Sequence, residues 1–209
     1  MGAPIFIAGP TASGKSAVAL EVAQQQNGEI ISVDSMQVYR GLDLGTAKPT
    51  VEERVRVPHH LIDILGLTES FNTASFVEQA EEAIKKIKTP VFCGGTGLYF
   101  SAWLEGLGDA PQANATLRTE LAEMNLETLV AELLERDPAT HATIDRQNRR
   151  RVTRAVEVIR LTGKPFSEQR AEWTGQVPQN FFLLERDRED LRHRIDRRVD
   201  AMFSAGLVV

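Results

Sequence analysis

The chain has 209 residues, of which 42% are hydrophobic and 25% charged, and its formal net charge is −5. That length allows one sizeable domain, or one with an insertion, around a packed core. The acidic balance argues against a general nucleic-acid binder but leaves room for a local basic patch. A single cysteine, Cys93, excludes an internal disulfide framework and points to a reducing cytoplasm. No run approaches the roughly 20 apolar residues of a membrane span, and no signal peptide is read at the amino terminus.

Ile5-Phe6-Ile7-Ala8 reads as a strand. The eight residues that follow, Gly9, Pro10, Thr11, Ala12, Ser13, Gly14, Lys15 and Ser16, fit G-x-x-x-x-G-K-[ST], the phosphate-binding loop. Its glycines let successive backbone N–H groups converge on an anion, and the helix that follows points its positive end there. Lys15 supplies a point charge to the terminal phosphate, and Ser16 a hydroxyl for Mg²⁺. Strand before and helix after are the context this motif needs, so a di- or triphosphate ligand is expected.

Residues 29–33 read as a second buried strand that delivers Asp34 at its carboxyl end, where open α/β sheets collect ligands. If that strand neighbours the first, Asp34 faces the phosphate site, as a general base or a partner of the metal. Residues 41–49 form a glycine-punctuated loop carrying Thr46 and Lys48. Residues 58–64 look like a short strand led by His59 and His60, read as two partly exposed histidines. Residues 73–88 predict an amphipathic helix capped by Asn72 or Thr73, with Phe76, Val77, Ala80, Ala83, Ile84 and Ile87 inward. Pairs Glu81/Lys85 and Glu82/Lys86 are expected on its outer face.

Pro90-Val91-Phe92-Cys93 is the next buried strand, with Cys93 as a small buried hydrophobe, and Gly94-Gly95-Thr96-Gly97 gives the sheet another ligand edge. From about residue 110 strand signals vanish, and helices are predicted over 116–124, 127–135 and 149–161. In the last, Val152, Ala155, Val156 and Ile159 make an apolar stripe. Arg150 and Arg154 fall opposite it, Arg151 lies on the flank, and Arg146 and Arg149 just precede. Five arginines in nine residues of an acidic chain read as a footprint for nucleic-acid phosphates. Residues 180–184 return as a buried strand. Residues 188–203 form a charged helix with Leu191, Ile195, Val199 and Met202 or Phe203 facing the core. The whole predicts an α/β fold, a P-loop-type parallel sheet wound with helices and carrying a helical insertion. The parts are 1–109 as core, 110–178 as insertion, and 179–209 as a return to the core.

GPTASGKS (9–16), ISVDSMQVYRGLDLGTAKP (31–49), PHHLIDI (58–64), FCGGTGLYF (92–100) and RRVTRAVEVIRLTGKP (150–165), in this order and spacing, resemble the tRNA dimethylallyltransferase family. The resemblance runs from residue 5 to about 206. It implies transfer of a dimethylallyl group from dimethylallyl diphosphate to N6 of the adenosine following the anticodon. Gly9 to Ser16 would hold the diphosphate, with Thr11 beside it, Lys15 as its counter-charge and Ser16 toward Mg²⁺. Asp34 matches the family's general base at the amine, and Ser35, Met36 and Gln37 match the segment that holds the flipped adenosine. Thr96 and Arg118 match tRNA-contacting positions, and Arg150, Arg151, Val152, Thr153 and Arg154 match the contacting segment of the helical part. Partners implied are the tRNA anticodon stem-loop and dimethylallyl diphosphate, with a monomeric cytoplasmic enzyme and no membrane. Family members continue with further helices and an arginine toward the diphosphate, so the resemblance implies a carboxy-terminal truncation. The main rival is a small-molecule kinase of the P-loop class that uses ATP, with the arginine-rich segment as its lid. An RNA-binding switch governed by a nucleotide and lacking chemistry is a third.

Overall fold

The computed structural model describes residues 2–207; Met1, Val208 and Val209 lie outside the described residues. Five strands, β1 (Ile5–Ala8), β2 (Glu29–Val33), β3 (His59–His60), β4 (Pro90–Gly94) and β5 (Phe181–Leu183), form one parallel sheet in the order β3-β2-β4-β1-β5. Parallel neighbours need crossovers, which α1 (Lys15–Gln25), α2 (Val51–Arg56), α3 (Thr73–Ile84) and α4 (Gly97–Glu105) help supply. Both faces of the sheet are therefore covered. Phe6 and Phe92 join Phe76, Tyr99 and Phe100 in one cluster, while their strand neighbours Ile7, Val91 and Cys93 join Ala19, Ala23 and Ile30 in another. This is the two-residue period of a strand read on both faces. A Cβ on Gly94 would lie 2.0 Å from the Val33 carbonyl oxygen, so β2 and β4 approach here because position 94 has no side chain.

The chain divides into two compact units: Met1–Leu104 with Gly175–Val209, and Glu105–Thr174. The second unit is helical, with α5 (Ala115–Glu123), α6 (Leu126–Arg136), α7 (Pro138–Thr143), α8 (Arg149–Thr162) and a 3₁₀ turn at Phe166–Glu168. Leu121, Leu129, Leu133, Val152, Val156 and Ile159 form its core. Asn114, Asn125, Asp137 and Asn148 each accept the amide three residues on, capping these four helices in turn. A last helix, α9 (Arg188–Ser204), belongs to the first unit.

Several expectations are corrected. The strand expected over 58–64 stops at His60, because Leu61 and Asp63 take left-handed backbone (φ 60° and 57°), which breaks an extended run. The third helix ends at Ile84 rather than 88, with Asn72 as its cap. On its outer face Lys85 pairs with Glu82, one turn back, not with Glu81. The last strand is not buried: β5 pairs only with β1 at the edge of the sheet, leaving Phe182 and Leu183 more than half exposed. Nor does the apolar stripe of α9 reach a core, since Ile195, Val199 and Phe203 stay 38%, 40% and 55% exposed. Helices α2, α4 and α7 were not anticipated, although Thr50 and Glu53 make a capping box and Asp137-Pro138 is a cap with proline at the first helical position.

Candidate functional site

The phosphate loop sits between the buried end of β1 and α1. Gly14 is the N-cap of α1 with φ 95°, a conformation open to glycine, and Ala12 is held in the same region at φ 65°. These turns set the first amides of α1 free of partners within the helix, where an anion collects them. Pro10, Thr11 and Ser16 are exposed, Lys15 is half-buried and Gly9 and Ser13 are buried. The Ser13 hydroxyl has no hydrogen-bond partner among the described residues. Lys15 Nζ donates to the Pro10 carbonyl at 3.1 Å. Burial above all, with the Arg198 guanidinium adding to it, holds the Lys15 ammonium below its ordinary value, against the opposing charge of Asp34. A bound anion would relieve that cost.

Thr11, Lys15, Ser16, Asp34 and Gln37 line one cavity at the carboxyl edge of the sheet. Strand β2 does not neighbour β1; β4 lies between them. Asp34 nevertheless reaches the loop's cavity, because all three strands end on the same edge, where Gly94 of β4 lines the cavity with no side chain to fill it. Asp34 Oδ1 accepts from the backbone N–H groups of Met36 (2.8 Å) and Gln37 (3.2 Å). Its Oδ2 has no hydrogen-bond partner among the described residues, so one oxygen is anchored and the other is offered. Ser35 and Met36 are exposed beside it, and Gln37 is half-buried. Thr96 is half-buried, and its carbonyl accepts from the Tyr99 amide at the start of α4. Cys93 is buried, and burial pushes its thiol up to about 12, so it stays protonated beside Lys15.

Sequence reading missed the cations that α9 brings to the loop. Arg194, Arg197 and Arg198 border a groove of about 520 Å³ with Ala12, Gly14, Lys15 and Ser16. Arg186 donates from Nε to the Ser13 carbonyl at 2.6 Å, fastening the loop from outside. The spacing of these arginines at i, i+3 and i+4 was a legible sign of one helix face. In sequence that sign competes with the apolar positions of the same helix, which point to a core instead.

In the helical unit the arginine stripe separates into two groups. Arg149 donates to the carbonyls of Leu121, Ala122 and Met124 (3.0, 2.8 and 2.5 Å), capping the carboxyl end of α5, where the helix dipole favours a cation. Arg154 donates to Glu157 at 2.9 Å and to the Pro111 carbonyl. Arg118 forks onto the same Glu157 at 2.9 and 3.2 Å. The Glu157 side chain is fully buried. Burial pushes its carboxyl up, but the hydrogen bonds from Arg118, Arg154 and the Asn114 amide outweigh that and hold it below the usual range. Val152 is buried in the core and Thr153 half-buried. Arg150 and Arg151 are exposed, and their guanidinium groups have no partner among the described residues.

Among the described residues no group of three or more His, Cys, Asp or Glu could cage a metal ion. An exposed Ser16 hydroxyl in a cavity shared with Lys15 and Asp34 fits a hard cation that keeps its waters and takes further oxygens from a phosphate, as Mg²⁺ does. No helix among the described residues is long and apolar enough to cross a membrane.

The family model described as IPP transferase matches residues 37–209. tRNA dimethylallyltransferase 1 of Trichlorobacter lovleyi is 48% identical over 215 residues, covering 98% of this chain and 70% of the relative. A tRNA dimethylallyltransferase of Roseiflexus sp. is 46% identical, with the same coverage. Among solved structures, the tRNA isopentenylpyrophosphate transferase of Bacillus halodurans is 41% identical with a TM-score of 0.60, covering 98% of this chain and 67% of that one. A eukaryotic dimethylallyltransferase acting on tRNA is 29% identical with a TM-score of 0.80, covering 98% and 54%.

Proposed function

The chain belongs to the IPP transferase family, the tRNA dimethylallyltransferases, and from that premise we propose how its residues carry the reaction. The reaction is transfer of a dimethylallyl group from dimethylallyl diphosphate to a tRNA adenosine near the anticodon. The kinase and the switch without chemistry are set aside with that membership. The acceptor atom is N6 of the adenosine that follows the anticodon, and the leaving group is diphosphate. The observation that carries this reading is the single cavity shared by the phosphate loop and Asp34.

The amides of residues 9–16 and the Lys15 ammonium absorb the negative charge that grows on the diphosphate as the allylic C–O bond breaks. Arg198, and with it Arg197, adds positive potential on the open side of the loop, while Arg194 beside them is paired with Asp190 at 3.1 Å. Thr11, exposed at the cavity's rim, adds a hydroxyl beside the diphosphate. Mg²⁺, when bound at Ser16, would neutralise further charge on the phosphate oxygens. The allylic carbon becomes cation-like, so a weak nucleophile such as an exocyclic amine suffices once it is placed. Asp34, anchored through Oδ1, takes the amine proton on Oδ2 as the N–C bond forms. The base is reached only when swung out of the anticodon stack, and Ser35, Met36 and Gln37 form the rim that receives it. Thr96 lies at the same edge of the sheet. In the helical unit, Arg150 and Arg151 contact tRNA phosphates, while Arg118 and Arg154 keep Glu157 company and offer only their outer N–H groups.

The purified protein should move label from dimethylallyl diphosphate into unmodified tRNA in the presence of Mg²⁺, and tRNA lacking the target adenosine should stay unlabelled. Label-free tRNA, together with phosphate turnover from ATP, would overturn the proposal.

A further inference from the structure

Residues 41–49 form a strap along the cavity, and a buried ammonium pins it. Lys48 keeps only 2% of its side chain exposed. Its Nζ donates to the Tyr39 carbonyl (2.6 Å), Asp43 Oδ1 (2.7 Å) and Asp63 Oδ1 (2.5 Å). An ammonium has three N–H bonds, and all three are used. The second oxygen of Asp63 accepts from Arg54 at 2.7 Å. Burial would push the Asp63 carboxyl up, but Lys48 and Arg54 hold it below the usual range.

The strap is tied in turn to the site. Gln37 Nε2 donates to the Thr46 and Ala47 carbonyls, both at 3.2 Å. Ser32 Oγ donates to Gln37 Oε1 at 2.8 Å. Carbonyl oxygens only accept, so the two strap carbonyls decide which end of the Gln37 amide is nitrogen. The Gln37 backbone N–H is one of the two that anchor Asp34 Oδ1. A continuous hydrogen-bonded path therefore leads from Lys48 through the strap and Gln37 to the offered carboxylate.

We propose that Lys48 is a positioning residue for prenyl transfer: by pinning the strap it fixes the Gln37 amide and, through Gln37, the orientation of Asp34 toward the target amine. The proposal rests on Asp34 as the base. Lys48 itself touches no reacting atom. Removing its charge leaves Asp43 and Asp63 without their shared cation, frees the strap carbonyls to drift, and releases Gln37.

The test is Lys48→Met, which keeps the side-chain length and removes the donor. With dimethylallyl diphosphate and unmodified tRNA, kcat should fall about 10- to 100-fold. KM for the diphosphate should stay within about twofold, because the loop that binds it is not part of the path. In a Gln37→Ala background the same substitution should add less than about twofold, since its route to Asp34 is already cut. Equal losses in both backgrounds, or a wild-type kcat, would overturn the proposal. A second readout needs no turnover. The Gln37 side-chain NH₂ signals in ¹⁵N NMR, identified by their loss in Gln37→Ala, should shift and exchange faster with solvent in Lys48→Met, and unchanged signals would contradict the path. Absence of any prenyl transfer by the unaltered protein, with the NMR change present, would sink the base assignment and leave the strap standing. If Lys48→Met does not fold, Asp43→Asn removes one charged acceptor from the exposed side and should give a smaller kcat loss with the same non-additivity. Additive losses there would also overturn the proposal.

Discussion

The open cavity of the phosphate loop and the interior of the helical unit use their cations in opposite ways. In the α/β unit, Lys15 meets a single carbonyl of its own loop, and Arg198 borders an open groove. In the helical unit, Arg118, Arg149, Arg154 and Arg160 all end on oxygens of the protein itself. The lesson is that a basic residue's role follows from the acceptor within its reach, not from how many basic neighbours it has in sequence. Of five arginines crowded into nine residues, Arg149 is a helix cap and Arg154 a partner of a buried acid. Arg146, Arg150 and Arg151 remain outward-facing.

That contrast can be broken most sharply at Glu157. Glu157→Ala removes the buried acid that Arg118 and Arg154 share and leaves the Asn114 amide without its acceptor, and because those arginines are 51% and 30% exposed and can turn to water, the cost is that of lost charged hydrogen bonds, about 1–3 kcal/mol. Chemical denaturation should therefore show a large loss of stability, and an unchanged midpoint would mean the pair is ornamental. The same acid gives a pH signature. Its folded-state value is depressed, so its stabilisation is fully present above the ordinary glutamate range and is lost as pH falls through the folded value. Wild type should lose stability on acidification over that window, and a Glu157→Gln variant should lose less.

A smaller effect separates the arginines from one another. Arg150→Ala with Arg151→Ala should weaken tRNA binding and reduce its log–log salt slope by about two units, roughly one per lost phosphate contact. The melting temperature should scarcely move. Arg154→Ala should do the reverse, lowering the melting temperature more than the slope. An equal change of slope for all three substitutions would contradict the division between bonded and free arginines.

Much of the fold was legible because its signals are local. An apolar strand, an eight-residue loop and a helix lie in immediate succession, and residues 9–16 can be read without knowing what packs on them. Asp34 was legible as the carboxyl end of a strand, although the order of strands was not. That order is set by pairing between residues distant in sequence, such as Val33 against Gly94, where a Cβ would not fit, and no neighbour in sequence reveals it. The buried partner of Arg118 was invisible because Glu157 lies 39 residues away and looks like one more helix charge. The three arginines of α9 are masked in sequence by apolar positions that suggest a core the structure does not provide. Lys48 reads in sequence only as part of a loop, since nothing in GLDLGTAKP tells that its ammonium is enclosed.

In the proposed mechanism, the anchored carboxylate of Asp34 takes the proton of an amine whose new carbon comes off a diphosphate held by residues 9–16. Asp34→Ala tests it most directly, with single-turnover prenyl transfer and tRNA affinity measured on the same preparation. The expected rate loss is about 10²- to 10⁴-fold, the range for a positioned general base, with affinity nearly intact. Transfer at the unaltered rate, or a loss confined to tRNA affinity, would contradict it.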